Sequence, residues 1–338
     1  MKSPPAWTAY HVYYHQDLDR AVVGFVRPLA ARLLAAGSID RLFFVRYRLG
    51  GPHLRLRLRV PGGRAARCAA AVEEAARGFL RRHPSTEPLA EEAVRRETRA
   101  LVDSDPFEND DTVYPDNTFL AFPFQPETDR YGGAALLPHS LDFFAASTAA
   151  ALEFVDRRQG EPRGRWLAPA GRLLLRQAAG FAGDRDELVS LLGYAIAAWG
   201  ERRPAVVAKG DRVYEGARES FLDLVREEIA AAPPFGAGEA AALLGPAARR
   251  LADALDGDDP AIRRQVGVSQ LHMTANRLGL INPEEVYLGR LLGRACADAL
   301  ADGPLRRPEP PAGAPSLAEL TRRALATCRD AADEPGTG

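Results

Sequence analysis

Arginines alternate with apolar residues in the segment HLRLRLRV (53–60). In an extended strand this alternation places His53, Arg55, Arg57 and Arg59 on one face and the leucines on the other. Guanidinium groups two residues apart lie about 7 Å from each other and repel unless water or an anion neutralises them. A planar guanidinium binds a carboxylate or a phosphate through two parallel hydrogen bonds. The segment therefore indicates either a solvated outer sheet face or an anion-binding sheet surface.

A second cluster of charged residues lies in the segment PETDRYGG (126–133). Glu127 and Arg130 are three residues apart and are followed by Tyr131 and two glycines, a pattern typical of a tight turn. One interpretation is an ordinary surface ion pair. The other is a functional one, in which Glu127 orients an arginine of the 53–60 strand and leaves another arginine free for a substrate.

The segment VSQLHMTANRLGL (268–280) has the apolar spacing of a helix and carries the best candidate for proton transfer. His272 and Asn276 are four residues apart and share one helix face. A single histidine in such a helix is often a core residue with one hydrogen bond. Histidine is, however, the side chain that exchanges a proton near neutral pH, so His272 is the candidate general acid or base.

The first third of the chain has a β-α-β-β-α pattern. Residues 7–16 alternate as a strand, Asp17 is a candidate N-cap for an apolar-periodic helix ending at Gly37, and 64–82 has helical spacing. Residues 41–49 and 53–60 form two strand-like runs separated by Gly-Gly-Pro, which predicts a hairpin that adds Arg46 to the arginine surface. This order predicts a ferredoxin-like mixed sheet, with a short strand at 118–124.

From residue 141 onward nearly every segment has helical periodicity. We predict helices at 141–157, 166–180, 186–200, 215–231, 238–256, 260–278, 284–302 and 316–330. The fold class is therefore α+β, a sheet layer of about 1–130 followed by a helical layer of about 138–302, within one domain covering 1–302. Residues 303–338 are expected to form a Pro-rich connector, a terminal helix and a frayed tail.

The composition excludes several classes of protein. Lys plus Arg is 44 and Asp plus Glu is 45, giving a net charge of −1, so no global field attracts nucleic acid or an anionic membrane. The three cysteines are isolated and no signal segment or long apolar run is present, which indicates a cytoplasmic protein. We find no Walker loop, dinucleotide turn or H-E-x-x-H motif, and expect neither a metal nor a cofactor.

Four segments together resemble the C-terminal glutamate-elimination domain of lantibiotic dehydratases and its stand-alone versions in thiopeptide clusters. They are FFVRYRLGGPHLRLRLR (43–59), PETDRYGG (126–133), FFAAST (143–148) and LHMTANRLGL (271–280). The resemblance places catalytic roles on Arg55, Arg57, Glu127, Arg130 and His272. We assign substrate binding to Arg46, His53, Tyr131 and Asn276.

The resemblance implies a stand-alone glutamate lyase of ribosomal peptide natural product biosynthesis. Such an enzyme eliminates glutamate from glutamylated serine or threonine and leaves dehydroalanine or dehydrobutyrine. The large glutamylation domain of full-length dehydratases is absent, so the expected partners are a glutamylated precursor peptide and a tRNA-dependent glutamylating enzyme, without direct contact with tRNA. Two alternatives stay open: a pyridine synthase that joins two dehydroalanines on the same fold, and a non-catalytic subunit that binds the precursor.

Overall fold

A computed structural model describes residues 5–104, 112–230, 241–301 and 305. The described residues divide between two compact units, with the boundary between Pro126 and Glu127. We call them the sheet unit and the helical unit, and each is described by itself. The single domain predicted for 1–302 stays a prediction. The predicted connector, terminal helix and tail at 303–338 lie outside the described residues apart from position 305.

The sheet unit contains four strands in the order β2-β3-β1-β4. Their bounds are β1 Ala6–Tyr13, β2 Arg41–Tyr47, β3 His53–Val60 and β4 Thr118–Phe122. All three pairings are antiparallel, so the α+β class is confirmed but the prediction of a mixed sheet is wrong. The helices after β1 return the chain, so β1 and β2 run parallel to each other but are not neighbours. β3 lies between them and pairs antiparallel with both.

Helices connect these strands. They are α1 Leu18–Ala21, a π-helical turn Val22–Val26, α2 Arg27–Ala35, α3 Ala65–Arg82 and α4 Glu91–Ser104. Asp17 caps α1 as predicted, because its carboxylate accepts from the Asp19 backbone N–H at 2.9 Å. The π-helical turn packs on α3, where Phe79 would lie 3.0 Å from a Cβ at Gly24. The leucines of β3 are fully buried, as their alternation predicts.

The helical unit contains nine described α-helices. They are α5 Leu137–Arg157, α6 Leu167–Phe181, α7 Arg185–Leu192, α8 Tyr194–Trp199, α9 Pro204–Gly216, α10 Arg218–Ala230, α11 Leu244–Ala254, α12 Pro260–Leu278 and α13 Asn282–Ala299. Two predictions change: the helix at 186–200 is divided at Gly193 into α7 and α8, and α9 precedes the predicted 215–231 helix. Within the described part of the chain, no helix is both long and apolar enough to span a bilayer.

Two helices organise this unit. α12 packs against α5, α6 and α7, and α13 packs against α7, α8, α9 and α10. α12 ends at Gly279, which is left-handed (φ 81°), and α13 begins after Ile281. This short connection brings the last turns of α12 back beside the first turn of α13, which is where the polar cluster described below lies.

Candidate functional site

One face of the sheet, here called the arginine face, carries the histidine and the three arginines of β3. Side chains directly opposite each other in antiparallel strands share a face. The observed register therefore places these residues together: His11 and Tyr13 of β1, Phe43, Val45 and Tyr47 of β2, and His53, Arg55, Arg57 and Arg59 of β3. The prediction that the histidine and three arginines of β3 share a face is confirmed.

Two buried imidazoles accept hydrogen bonds from the two central arginines. Arg55 donates through Nε to His53 Nε2 at 3.2 Å, and Arg57 Nη2 lies 3.3 Å from His11 Nε2. His53 Nδ1 lies 2.7 Å from the Gly51 carbonyl oxygen, so the ring donates through Nδ1 and accepts through Nε2. Each of these arginines is thus oriented by a ring acceptor that carries no negative charge.

Both imidazoles are neutral because protonation is opposed by burial and by nearby positive charge. His53 is completely buried, and burial together with Arg55 lowers its pKa to about 3. Burial, with His53 and Arg57 adding to it, lowers the pKa of His11 even further below its usual range. The His53 ring is fully buried, and its predicted role in substrate binding stays a prediction.

Two other arginines of the hairpin, Arg59 and Arg46, are paired with carboxylates. Arg59 makes two hydrogen bonds of 2.7 Å to Asp40, a bidentate pair that balances its charge. Arg46 forms an ion pair with Asp19 of α1. Arg46 lies opposite Leu54 and therefore on the other face of the sheet, so the prediction that it joins the arginine surface is wrong. The physical reason is that successive side chains of a strand point to opposite faces. Val45 and Tyr47 therefore lie on the arginine face, and Arg46 between them lies on the other face.

In the helical unit, the segment 126–133 forms the tight turn that its glycines predict. Gly132 is left-handed (φ 81°), and a Cβ there would lie 2.7 Å from Leu136 Cδ1. Glu127 and Arg130 form an ion pair at 2.9 Å. Gln265 of α12 donates to the backbone carbonyl oxygen of Arg130 at 2.9 Å, which holds the turn against that helix. The predicted role of Glu127 in orienting a hairpin arginine stays a prediction.

Three of the sequence motifs meet around a buried arginine. Arg277 of α12 is fully buried, donates to Ser147 Oγ at 3.2 Å, and lies 4.4 Å from the ring centroid of Phe144. Tyr131 packs edge-on against the same Phe144 ring with the centroids 5.1 Å apart. Burial lowers the pKa of Arg277 to about 9 and raises the pKa of the Tyr131 hydroxyl. Tyr131 is 4% exposed, and its predicted role in substrate binding stays a prediction.

His272 lies in a polar cluster that sequence reasoning found only in part. Its Nδ1 lies 3.0 Å from Glu285 Oε2, and the Tyr194 hydroxyl donates to the same oxygen. The His272 side chain is 32% exposed, whereas that of Glu285 is 2% exposed. The Trp199 ring lies 5.4 Å from the imidazole between centroids. We predicted that Asn276 or a backbone group fixes the ring, but the partner of Nδ1 is Glu285; the role of Asn276 in substrate binding stays a prediction.

A histidine held by a buried carboxylate, with part of the ring exposed, is a constellation suited to general acid–base catalysis. The sheet unit, in turn, presents guanidinium groups suited to binding an anion. Sequence reasoning missed His11, Glu285 and Tyr194. The alternation of β1 puts His11 on one face with Tyr13, but only the pairing of β1 with β3 sets it beside the arginines. The other two lie in separate helices, and their spacing along the chain carries no such signal.

Comparison with known proteins gives one family and several similar structures. A family model described as the C-terminal part of the lantibiotic biosynthesis dehydratase matches residues 7–296. Pyridine synthase TbtD, from thiomuracin biosynthesis, aligns with a TM-score of 0.70 at 22% identity, over 87% of this chain and 99% of that chain. TsrL aligns with a TM-score of 0.58 at 17% identity, over 95% of this chain and 99% of that chain.

A third structure is the tRNA dependent lantibiotic dehydratase MibB from Microbispora sp. 107891. It aligns with a TM-score of 0.50 at 22% identity, over 89% of this chain and only 29% of that chain. Because the identities are 22%, 17% and 22%, these similarities show only that the three structures share a fold with this chain. No curated protein matches the sequence.

Proposed function

The chain belongs to the lantibiotic dehydratase C-terminal family, and from this premise we propose that it is a glutamate lyase. Its substrate is a precursor peptide on which a partner enzyme, using glutamyl-tRNA, has esterified serine or threonine with glutamate. The products are free glutamate and a peptide carrying dehydroalanine or dehydrobutyrine. The observation that carries the proposal is the His272–Glu285 pair, because the reaction begins with the removal of a proton.

The elimination requires one proton acceptor and one stabiliser of negative charge. The neutral His272 imidazole takes the proton from Cα of the glutamylated residue, the C–H electrons form the Cα=Cβ double bond, and the Cβ–O bond breaks. Glutamate leaves with the electrons of that bond as a carboxylate. Negative charge builds on the backbone carbonyl oxygen during this step, and guanidinium groups stabilise it more strongly than they stabilise the neutral substrate.

Arg55 and Arg57 are the groups assigned to this charge. His53 and His11 accept hydrogen bonds from them and orient their guanidinium groups. One of the two is assigned to the enolate-like oxygen and the other to the departing glutamate. Glu127 and Arg130 are assigned to positioning, consistent with their ion pair in a glycine-constrained turn.

The test is the reaction of the purified full chain with a synthetic glutamylated peptide, with no added nucleotide or metal. We expect mass spectrometry to show loss of the glutamyl group, formation of the dehydrated residue and release of free glutamate. The same peptide without glutamate should stay unchanged. Persistence of the glutamyl adduct with a folded enzyme would refute the lyase.

A second candidate function, a pyridine synthase, is favoured by one observation. This chain spans 99% of the length of pyridine synthase TbtD, with a TM-score of 0.70, but 29% of the length of dehydratase MibB. Such an enzyme would join two dehydroalanines by a formal cycloaddition. A peptide carrying two dehydroalanines separates the two candidates, because a cyclised product supports the synthase and an unchanged peptide supports the lyase.

A further inference from the structure

Glu285 lies in the first turn of α13 and carries a buried carboxylate with two hydrogen-bond partners, His272 and Tyr194. Its Oε2 atom lies 3.0 Å from His272 Nδ1 and accepts from the Tyr194 hydroxyl. An ionised carboxylate has acceptors only, so the imidazole nitrogen facing it must donate. The geometry therefore requires a proton on Nδ1 of His272.

Burying a carboxylate is costly unless donors satisfy it. Glu285 receives two side-chain donors, and its place in the first turn of an 18-residue helix adds the favourable field of the helix dipole. The Tyr194 hydroxyl serves as donor throughout, because burial and the Glu285 charge raise its pKa well above the usual range. The other donor to the Glu285 carboxylate is then the Nδ1–H group of His272.

Aromatic rings restrict the orientation of the same imidazole. Trp199 and Tyr194, both on α8, lie 5.4 Å and 6.3 Å from the His272 ring between centroids. Rotation of the ring by a half turn would remove Nδ1 from Glu285 and leave the buried carboxylate with one donor fewer. Orientation and protonation of the ring are therefore set by the same contact.

We infer that Glu285 is a positioning residue that keeps the proton of neutral His272 on Nδ1 and makes Nε2 the nitrogen that accepts the substrate proton. The inference rests on the proposed function, in which His272 transfers a proton. When Nε2 becomes protonated the imidazolium is stabilised by the Glu285 charge, which lowers the barrier to that step. Tyr194 holds the carboxylate in place.

The decisive variant is Glu285→Gln, measured by single-turnover elimination on the glutamylated peptide. A carboxamide can present either an oxygen or an NH₂ group to Nδ1, so it no longer imposes one tautomer. We expect a loss of about 10- to 100-fold in the elimination rate, as for other groups that orient a reacting residue. Glu285→Asp, which keeps the charge on a shorter side chain, should recover part of this loss.

The matched control is Glu284→Gln, the same chemical change one residue earlier. Glu284 caps α13 and pairs with Arg163 instead of His272, and glutamine is also suited to that capping position. The control should keep the wild-type elimination rate. Equal losses in the two variants would assign the effect to α13 as a whole and overturn the inference.

A second readout needs no substrate. Nitrogen-15 NMR of histidine-labelled protein reports which ring nitrogen of His272 carries the proton in the neutral form. Wild type and Tyr194→Phe should show Nδ1–H, whereas Glu285→Gln should show a shift towards Nε2–H. An unchanged tautomer in Glu285→Gln would overturn the inference even if the wild type eliminates glutamate. The expected tautomers in an enzyme that releases no glutamate would instead refute the proposed function and the role of Nε2 in it, and would leave only the control of the His272 tautomer by Glu285.

Discussion

Histidines in the two units have opposite electrostatic surroundings. In the sheet unit, His11 and His53 are buried beside guanidinium groups, which together with burial lower their pKa values. In the helical unit, His272 is partly exposed and bonded to the carboxylate of Glu285. The first two rings accept hydrogen bonds from Arg57 and Arg55, whereas the third donates one to an anion.

This difference shows that the partner, and not the residue type, decides what a histidine can do. A neutral ring beside an arginine accepts a hydrogen bond and orients the guanidinium. A ring that donates one nitrogen's proton to a carboxylate keeps its other nitrogen for proton transfer. Under the proposed function, Arg55 and Arg57 stabilise negative charge and His272 transfers the proton.

The largest expected effect tests the helical side of this comparison. A positioned general acid or base typically contributes about 10²–10⁴ in rate. His272→Ala should therefore slow single-turnover elimination by about that factor while the variant remains folded by circular dichroism. The control is His139→Ala, which changes an exposed histidine of α5. A folded His272→Ala enzyme with nearly unchanged rates would return His272 to the role of a core residue.

The next effect tests the arginine face. Lysine keeps the charge of Arg57 but lacks the planar fork that binds an oxyanion or a carboxylate. We expect Arg57→Lys and Arg55→Lys each to lower the elimination rate by about 10- to 100-fold, somewhat less than full removal of such a donor. Arg59→Lys is the matched control, because Arg59 is already paired with Asp40. Loss of activity in Arg59→Lys with wild-type activity in Arg57→Lys would reverse the assignment.

The smallest effect concerns stability, and its sign follows from the lowered pKa values. Below about pH 6.5 a histidine in the unfolded chain binds a proton, whereas the buried ring in the folded protein stays neutral. The free energy of unfolding should therefore fall with decreasing pH, by about 1.4 kcal/mol per pH unit for each such ring. For His53 this loss continues down to its folded pKa of about 3.

His11→Phe should make this dependence shallower, because it removes one of the rings whose pKa the fold lowers and keeps the stacking on Phe122. Urea unfolding at about pH 7, 6 and 5 measures the slope, in a range where most carboxylates stay ionised. His139→Gln should retain the wild-type slope. If His11→Phe retains it as well, protonation of His11 is not opposed by the fold and the contrast between the two units weakens.

Much of the secondary structure could be predicted from the chain. The alternation of HLRLRLRV predicts β3 with its observed bounds, Asp17 predicts the start of α1, and the periodicity of 260–278 predicts α12. Breaks within long helical segments were harder to predict. A single glycine such as Gly193 can lie inside a helix at a cost of about 1 kcal/mol, so the sequence did not separate α7 from α8. That division matters, since α8 carries both aromatic residues beside His272.

The sequence by itself determined the α+β class, the shared face of Arg55 and Arg57, and the candidacy of His272, because these depend on local periodicity and on residue chemistry. Tertiary structure alone decided which groups surround them. Strand register placed Arg46 on the opposite face and His11 beside Arg57, and helix packing brought Glu285 and Tyr194 to His272. Such contacts join residues far apart in the chain, and their strength depends on burial, which strengthens charge interactions only once the fold has excluded water.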